Sequence, residues 1–286
     1  MITVIVGLAS ALVYGAADFL GGTASRRISP VRVTAIAAVT GLVVLLAVLP
    51  FVGGTWSRDA VLLGALSGVT GAVAIGLLYA CLAIGPMSIL SPLTAVVSAV
   101  VPLSIGLAGG ERLGVIGYVA LGLALVAVVL VGFVPGKGAV RPRMAGVVMA
   151  VGSGAAIGIF LVILDQTPDD SGLVPLVLNR AVSGAILFAV VGALALVVRS
   201  RGSRDPRGWR AGLALAILCG VVDAAANTGL LIGVRIGELS VMAVLTALYP
   251  AGTIILAAVV LKERIAPLQI VGLVLAVAAG AMLALA

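Results

Sequence analysis

Three ionisable residues, Asp18, Arg180 and Asp223, each fall inside long apolar runs of the 286-residue chain. A charge near the centre of a bilayer costs about 2.5 to 3.5 kcal/mol on insertion scales, so each needs a partner, a water-filled cavity or a chemical task. Arg180 and Asp223 lie at similar depth, about two to three turns from the same end of their runs, and are placed to pair. Such a pair can lock two helices together or bind a solute, and the sequence leaves both readings open. Asp18 lies toward the opposite end of its run, and Tyr14, four residues earlier on the same helical face, is placed to donate to it. A desolvated carboxylate without a counter-ion can take up and release a proton or hold a cationic group. One nearer the interface is instead hydrated or reaches Arg26.

Hydroxyls add two polar stripes. Ser91, Thr94 and Ser98 recur at spacings of three and four, and so do Thr246, Tyr249 and Thr253; Tyr79 and Asn227 are further candidates for the same wall. These groups can bond back to their own helices or line a cavity. Pro92, Pro102 and Pro250 favour the cavity, because proline removes a backbone donor and frees a carbonyl that needs protein or water to face. The substrate-binding candidates are therefore Tyr14, Asp18, Tyr79, Ser91, Thr94, Ser98, Arg180, Asp223, Asn227, Thr246 and Tyr249, with Asp18 the candidate for proton coupling.

Catalysis has little to work with. The chain contains no His, Cys81 and Cys219 fall within apolar runs as small buried hydrophobes, and no Ser has a recognisable base. No Gly-rich phosphate loop ending in Lys-Ser/Thr occurs. The reading is a protein that is not an enzyme, with no catalytic residue, cofactor or metal.

The elements that must hold these residues are membrane helices. Hydrophobic residues make up 63% of the sequence and charged ones 9%, against roughly 45 to 50% and 25% in soluble domains. Runs of about 20 apolar residues recur, each long enough for a bilayer core about 30 Å thick. Backbone groups unpaired in lipid are intolerable, so the runs are expected as helices, at about 3 to 24, 31 to 51, 60 to 83, 88 to 108, 113 to 133, 144 to 164, 173 to 198, 210 to 233, 239 to 260 and 266 to 285. The first carries Asp18 and lacks a basic leading segment, so it reads as a permanent span rather than a signal peptide.

The net charge of +7 resides in short connections. It fits membrane orientation better than nucleic acid, which has no soluble basic face to bind. Connections after the first, fifth, seventh and ninth spans carry Arg26, Arg27, Arg32, Lys137, Arg141, Arg143, Arg199, Arg201, Arg204, Arg207, Arg210, Lys262 and Arg264. The opposite face has Arg58, Arg112 and Arg235 beside Asp165, Asp169 and Asp170. The positive-inside rule makes the basic face cytoplasmic and puts both termini outside.

The sequence also repeats itself. A shift of 152 positions brings Gly85 onto Gly237, Ser88 onto Ser240, Thr94 onto Thr246 and Glu111-Arg112 onto Glu263-Arg264; a shift of 139 brings Gly7 onto Gly146 and Gly15-Ala16-Ala17 onto Gly154-Ala155-Ala156. The repeat is five helices long, residues 1–135 and 136–286, and an odd number of spans inverts the second copy. Two inverted halves around a central site suit alternating access. The Glu-Arg pairs fall in tight turns, where helix capping and interfacial anchoring are the expected roles.

The segments Gly76 to Leu113, "GLLYACLAIGPMSILSPLTAVVSAVVPLSIGLAGGERL", and Gly229 to Ile265, "GLLIGVRIGELSVMAVLTALYPAGTIILAAVVLKERI", with "VYGAADFLGG" in the first span, carry a family resemblance. The chain resembles EamA-type carriers of the drug/metabolite transporter superfamily. The resemblance implies an all-α integral membrane protein of ten helices in two inverted five-helix repeats around a central cavity, exporting amino acids, amines, other metabolites or drugs. The expected function is secondary transport of a small solute across a bacterial plasma membrane, with protons as the candidate coupling ion. The alternative is a membrane assembly or lipid-handling subunit, to be recognised by the lack of a continuous polar cavity. Expected partners are a small-molecule substrate and the lipid bilayer, with no nucleic acid; substrate identity, direction and oligomeric state are left open.

Overall fold

The computed structural model describes residues 1–25, 27–84, 87–132, 143–200, 210–260 and 266–285. Its helices are α1 (Ile2–Ser25), α2 (Pro30–Val52), α3 (Arg58–Ile84), α4 (Met87–Ala108), α5 (Val115–Gly132), α6 (Met144–Asp165), α7 (Val174–Ser200), α8 (Arg210–Ile236), α9 (Leu239–Thr246), α10 (Tyr249–Val260) and α11 (Pro267–Leu285). A single 3-10 turn, Asp169–Ser171, precedes α7, and no strand occurs among the described residues. Pro30 and Pro267 open α2 and α11, where a missing N–H is harmless.

By length and composition alone, α1, α2, α3, α6, α7 and α8 can each cross a membrane; α4, α5, the α9–α10 pair and α11 supply shorter apolar stretches. Together they make ten spans. The ninth differs from the uninterrupted helix expected over 239 to 260, since Ala247 and Leu248 form a turn between α9 and α10. Pro250 explains it: the ring cannot donate to the Thr246 carbonyl and crowds it. In contrast α4 stays continuous through Pro92 and Pro102.

One face of the bundle shows the inversion directly. Thr3 Oγ1 donates to Ile236 O at 3.3 Å, Thr55 N to Asp170 O at 3.0 Å, and Leu239 N to Glu111 Oε1 at 2.9 Å. The start of α1 and the end of α6 therefore share a face, so the two repeats run in opposite senses. Packing follows the same exchange: α1 lies along α8 as α6 lies along α3, while α2 meets α7 and α5 meets α11. On this face Gly54 and Gly172, at φ 147° and 51°, bring the 53–55 and 168–172 connections into backbone contact. A side chain at either glycine would meet the other connection's backbone and be strained by its own φ.

The glycine pair found by the shift of 139 does equivalent work in each half. A Cβ on Gly15 would stand 2.5 Å from Tyr249 O in α10, and one on Gly154 would stand 2.6 Å from Thr94 O in α4. Small residues let membrane helices approach backbone to backbone, which is how α1 reaches the break in the ninth span. Large side chains such as Val43, Leu46, Val73, Val274 and Val277 are exposed on the outside, as lipid requires. Leu45, Leu164, Leu230, Leu231 and Met242 are buried near the junction of the repeats.

Candidate functional site

Between the repeats lies a cavity of about 170 Å³, walled by α1, α2, α3, α4, α6, α7, α8, α9 and the start of α10. A cavity needs only about 10 to 15 Å³ to admit one water, so this one has room for several waters or a small solute. Its polar groups come from few residues. Arg180 on α7 and Asp223 on α8 form the anticipated ion pair through Nη2 and Oδ2, 13% and 20% exposed, so the pair is partly open to the cavity rather than sealed between helices. Gly41 on α2 makes room for the guanidinium, since a Cβ there would stand 3.4 Å from Arg180 Cδ and Nε. Asn227 Nδ2 donates to the Asp223 carbonyl at 2.8 Å and to Oδ1 at 3.3 Å.

Asp18 lines the same cavity. The sequence places it in the other half of the membrane from the pair. The structure agrees that it takes no share of Arg180, yet brings all three charges to one space. Among the described residues no hydrogen bond or ion pair engages Asp18; Arg26 lies outside them. The bond anticipated from Tyr14 is not made. Helical side chains lean toward their own N-terminus, away from position i+4, and the Tyr14 ring packs in the cluster holding Leu45 and Leu230.

The hydroxyl stripes divide. Ser98, Thr246 and Tyr249 line the cavity. Thr94 does not: its hydroxyl donates to Leu90 O at 3.0 Å and Ala150 O at 3.2 Å, stitching α4 to α6. Ser98 bonds back to Ala95 O, and Thr246 to Met242 O and Ala243 O. Thr253 reaches across to Gly15 O at 3.2 Å. The side chains of Tyr79 and Ser91 lie outside the described residues.

Thr34, Asn179, Ser183 and Cys219 also wall the cavity and were not singled out from sequence. Two of them carried a spacing signal: Ser183 follows Arg180 by three residues, and Cys219, Asp223 and Asn227 recur every four along α8. Cys219 is buried as expected, its thiol donating to Ala17 O at 3.3 Å. Asn179 carries Nδ2 to Ser67 Oγ at 3.1 Å, joining α7 to α3 beside the ion pair.

The break in the ninth span adds backbone acceptors. Pro250 has no N–H for the Thr246 carbonyl, and Ala251 N donates to Leu248 O rather than to Ala247 O. Thr246 and Ala247 both line the cavity. Two carboxylates against one guanidinium, with carbonyls released nearby, give a site biased toward cationic groups. Among the described residues no cluster of acidic or Cys side chains is arranged to hold a metal ion.

Fold and site together define a multi-pass helical membrane protein with a cavity that holds a few charged and polar side chains between two inverted five-helix repeats. The model of the EamA-like transporter family matches residues 1–133 and 144–285, and the chain belongs to that family. A crystal structure of a protein 17% identical in sequence is similar over 99% of this chain and 98% of its own, with a TM-score of 0.75; at that identity the likeness speaks for the fold alone. No functionally curated protein matches the chain.

Proposed function

We propose that this protein is a secondary carrier that moves a small metabolite, an amino acid, amine or drug-like solute, across a bacterial plasma membrane by alternating access, with proton-coupled export as its working mode. The observation that carries the reading is the convergence of Asp18 with the Arg180–Asp223 pair in one cavity between inverted repeats. Asp18 serves as the proton or ammonium site, because a carboxylate with no counter-ion among the described residues gains most from either partner in a membrane. The net negative balance favours solutes bearing an ammonium group. Three ionisable side chains gathered in one largely apolar cavity also favour a carrier over an assembly or lipid-handling subunit. Solute transport by purified protein in liposomes, with and without a pH gradient, tests the reading.

Orientation follows from charge. The described acidic face holds Asp165, Asp169 and Asp170, and the described Arg27, Arg32, Arg143 and Arg210 flank the opposite helix ends, so we assign that basic face to the cytoplasm and both termini to the outside. An impermeant thiol reagent added to intact cells is expected to label Asp169→Cys and leave Arg204→Cys untouched. The reverse pattern contradicts the assignment.

The broken span gives a separate expectation. Pro250→Ala returns an N–H to the Thr246 carbonyl, and proline inside a helix costs about 3 kcal/mol or more. The variant is expected to melt at the same or a higher temperature and to transport more slowly. Unchanged transport with a raised melting temperature removes the break from the mechanism.

A further inference from the structure

Glu111 lies between α4 and α5, outside the cavity, on the face where the 53–55 and 168–172 connections meet. Its carboxylate crosses from the first repeat to the second. Oε1 accepts from Leu239 N at 2.9 Å and Oε2 from Ser240 N at 3.2 Å. These are the first two residues of α9, whose leading N–H groups have no partner within the helix. Glu238, in the N-cap position, supplies no side-chain cap, although its carboxyl stands beside that of Glu111. One repeat therefore caps a half-helix of the other, with the negative charge at the favourable end of the helix dipole.

Three features make this more than a surface anchor. All eight residues of α9 are buried, and Ala243, Thr246 and Ala247 wall the cavity. The turn at Ala247 and Leu248 interrupts the span between α9 and α10, so the cap at the far end holds α9 in addition to its packing. Gly106 forms a seat for the carboxylate: Glu111 N donates to Gly106 O at 3.1 Å, and a Cβ on Gly106 would stand 2.5 Å from Glu111 Oε2. The same face is closed alongside by Thr55 Oγ1 on Asp170 Oδ2 at 2.8 Å and by Arg235, which donates to Gly172 O at 3.0 Å and Ser171 Oγ at 2.8 Å.

We propose that Glu111 is the positioning residue that latches α9 and keeps the cavity closed on the acidic face; releasing it lets the half-helix move and opens the cavity there. The role rests on the alternating-access reading above. Its test is sided accessibility, which requires no substrate. In a Cys81→Ala/Cys219→Ala background carrying Ala243→Cys, about one turn from the latch, the labelling rate by an impermeant maleimide is measured from the face bearing residue 111, in oriented vesicles. Glu111→Ala is expected to raise that rate about tenfold or more, as loss of two charge-assisted bonds to one state implies.

Gly106→Ala, which leaves every charge in place and only displaces the carboxylate, is expected to move the rate in the same direction by less, and Glu111→Gln to fall between wild type and Glu111→Ala. Monodisperse elution separates opening from unfolding. If Glu111→Ala does not fold, Gly106→Ala and Glu111→Gln decide the matter by the same measurement. Unchanged labelling in folded variants overturns the latch. Raised labelling in a protein that exchanges no solute keeps the latch and removes the carrier reading.

Discussion

Replacing Asp18 by asparagine is expected to abolish transport driven by a pH gradient while leaving the protein folded and inserted. The side chain keeps its size, so the walls formed with Tyr14, Ala17 and Thr34 are undisturbed. What disappears is the charge without a bonded partner among the described residues of this cavity. Hydrogen bonds to charged groups are worth about 1.5 to 3 kcal/mol, so an ammonium group held there should bind about ten- to a hundredfold more weakly. Proton coupling should be lost altogether, because an amide does not titrate. The measurement is solute flux in proteoliposomes with and without an imposed pH gradient. An Asp18→Asn protein that still responds to the gradient removes Asp18 from coupling, whatever its affinity.

The Arg180–Asp223 pair calls for the second large effect, and here folding and function must be separated. Removing one partner leaves a buried, uncompensated charge, at a cost of about 3 to 5 kcal/mol in proteins generally. Asp223→Asn and Arg180→Gln are therefore each expected to lower the melting temperature and the yield of inserted protein. Replacing both at once, as Arg180→Met with Asp223→Leu, removes the charges together and should recover folding. If the pair binds solute, the recovered protein does not transport, and exchanging the residues, Arg180→Asp with Asp223→Arg, also restores folding without transport. If the pair is a lock between α7 and α8, the exchanged protein transports normally. Partial exposure of both side chains to the cavity favours the first outcome.

Much of this architecture was legible before any coordinate. The apolar runs give the spans because lipid leaves the backbone no alternative to helix. The matched Glu111-Arg112 and Glu263-Arg264 pairs gave the repeat, since charged pairs recur by accident far less often than Ala and Leu in so apolar a chain. An odd span count then required the inversion seen in the contact of Thr55 with Asp170. Arg180 and Asp223 were readable as partners from their depth alone. The carboxylate of Glu111 proved to be a helix cap, the role its turn position suggested, although the helix it caps belongs to the other repeat. Glu263 lies outside the described residues.

What escaped the sequence depends on lateral geometry. Depth along a helix does not say which way a side chain faces, so Asp18 was set in the opposite half of the membrane from an ion pair whose cavity it shares. Thr94 and Ser98 are four residues apart on one face, yet only Ser98 reaches the cavity, because the close approach of α6 at Gly154 turns Thr94 into packing. Nor does every proline break its helix: Pro92 and Pro102 leave α4 continuous, whereas Pro250 follows a turn between α9 and α10. Asn179 was not singled out in the sequence, and its partner Ser67 on α3 shows its place in the wall.

The central claim is that the cavity between the repeats carries a small solute with Asp18 as its coupling carboxylate. Purified protein in liposomes, loaded in turn with amines, amino acids and organic anions and assayed for counterflow of the labelled solute, tests it most directly. The account predicts saturable exchange of at least one ammonium-bearing solute, acceleration of its net flux by a pH gradient, and loss of that acceleration in Asp18→Asn. Exchange confined to organic anions, or none above protein-free vesicles across the whole panel, would contradict it.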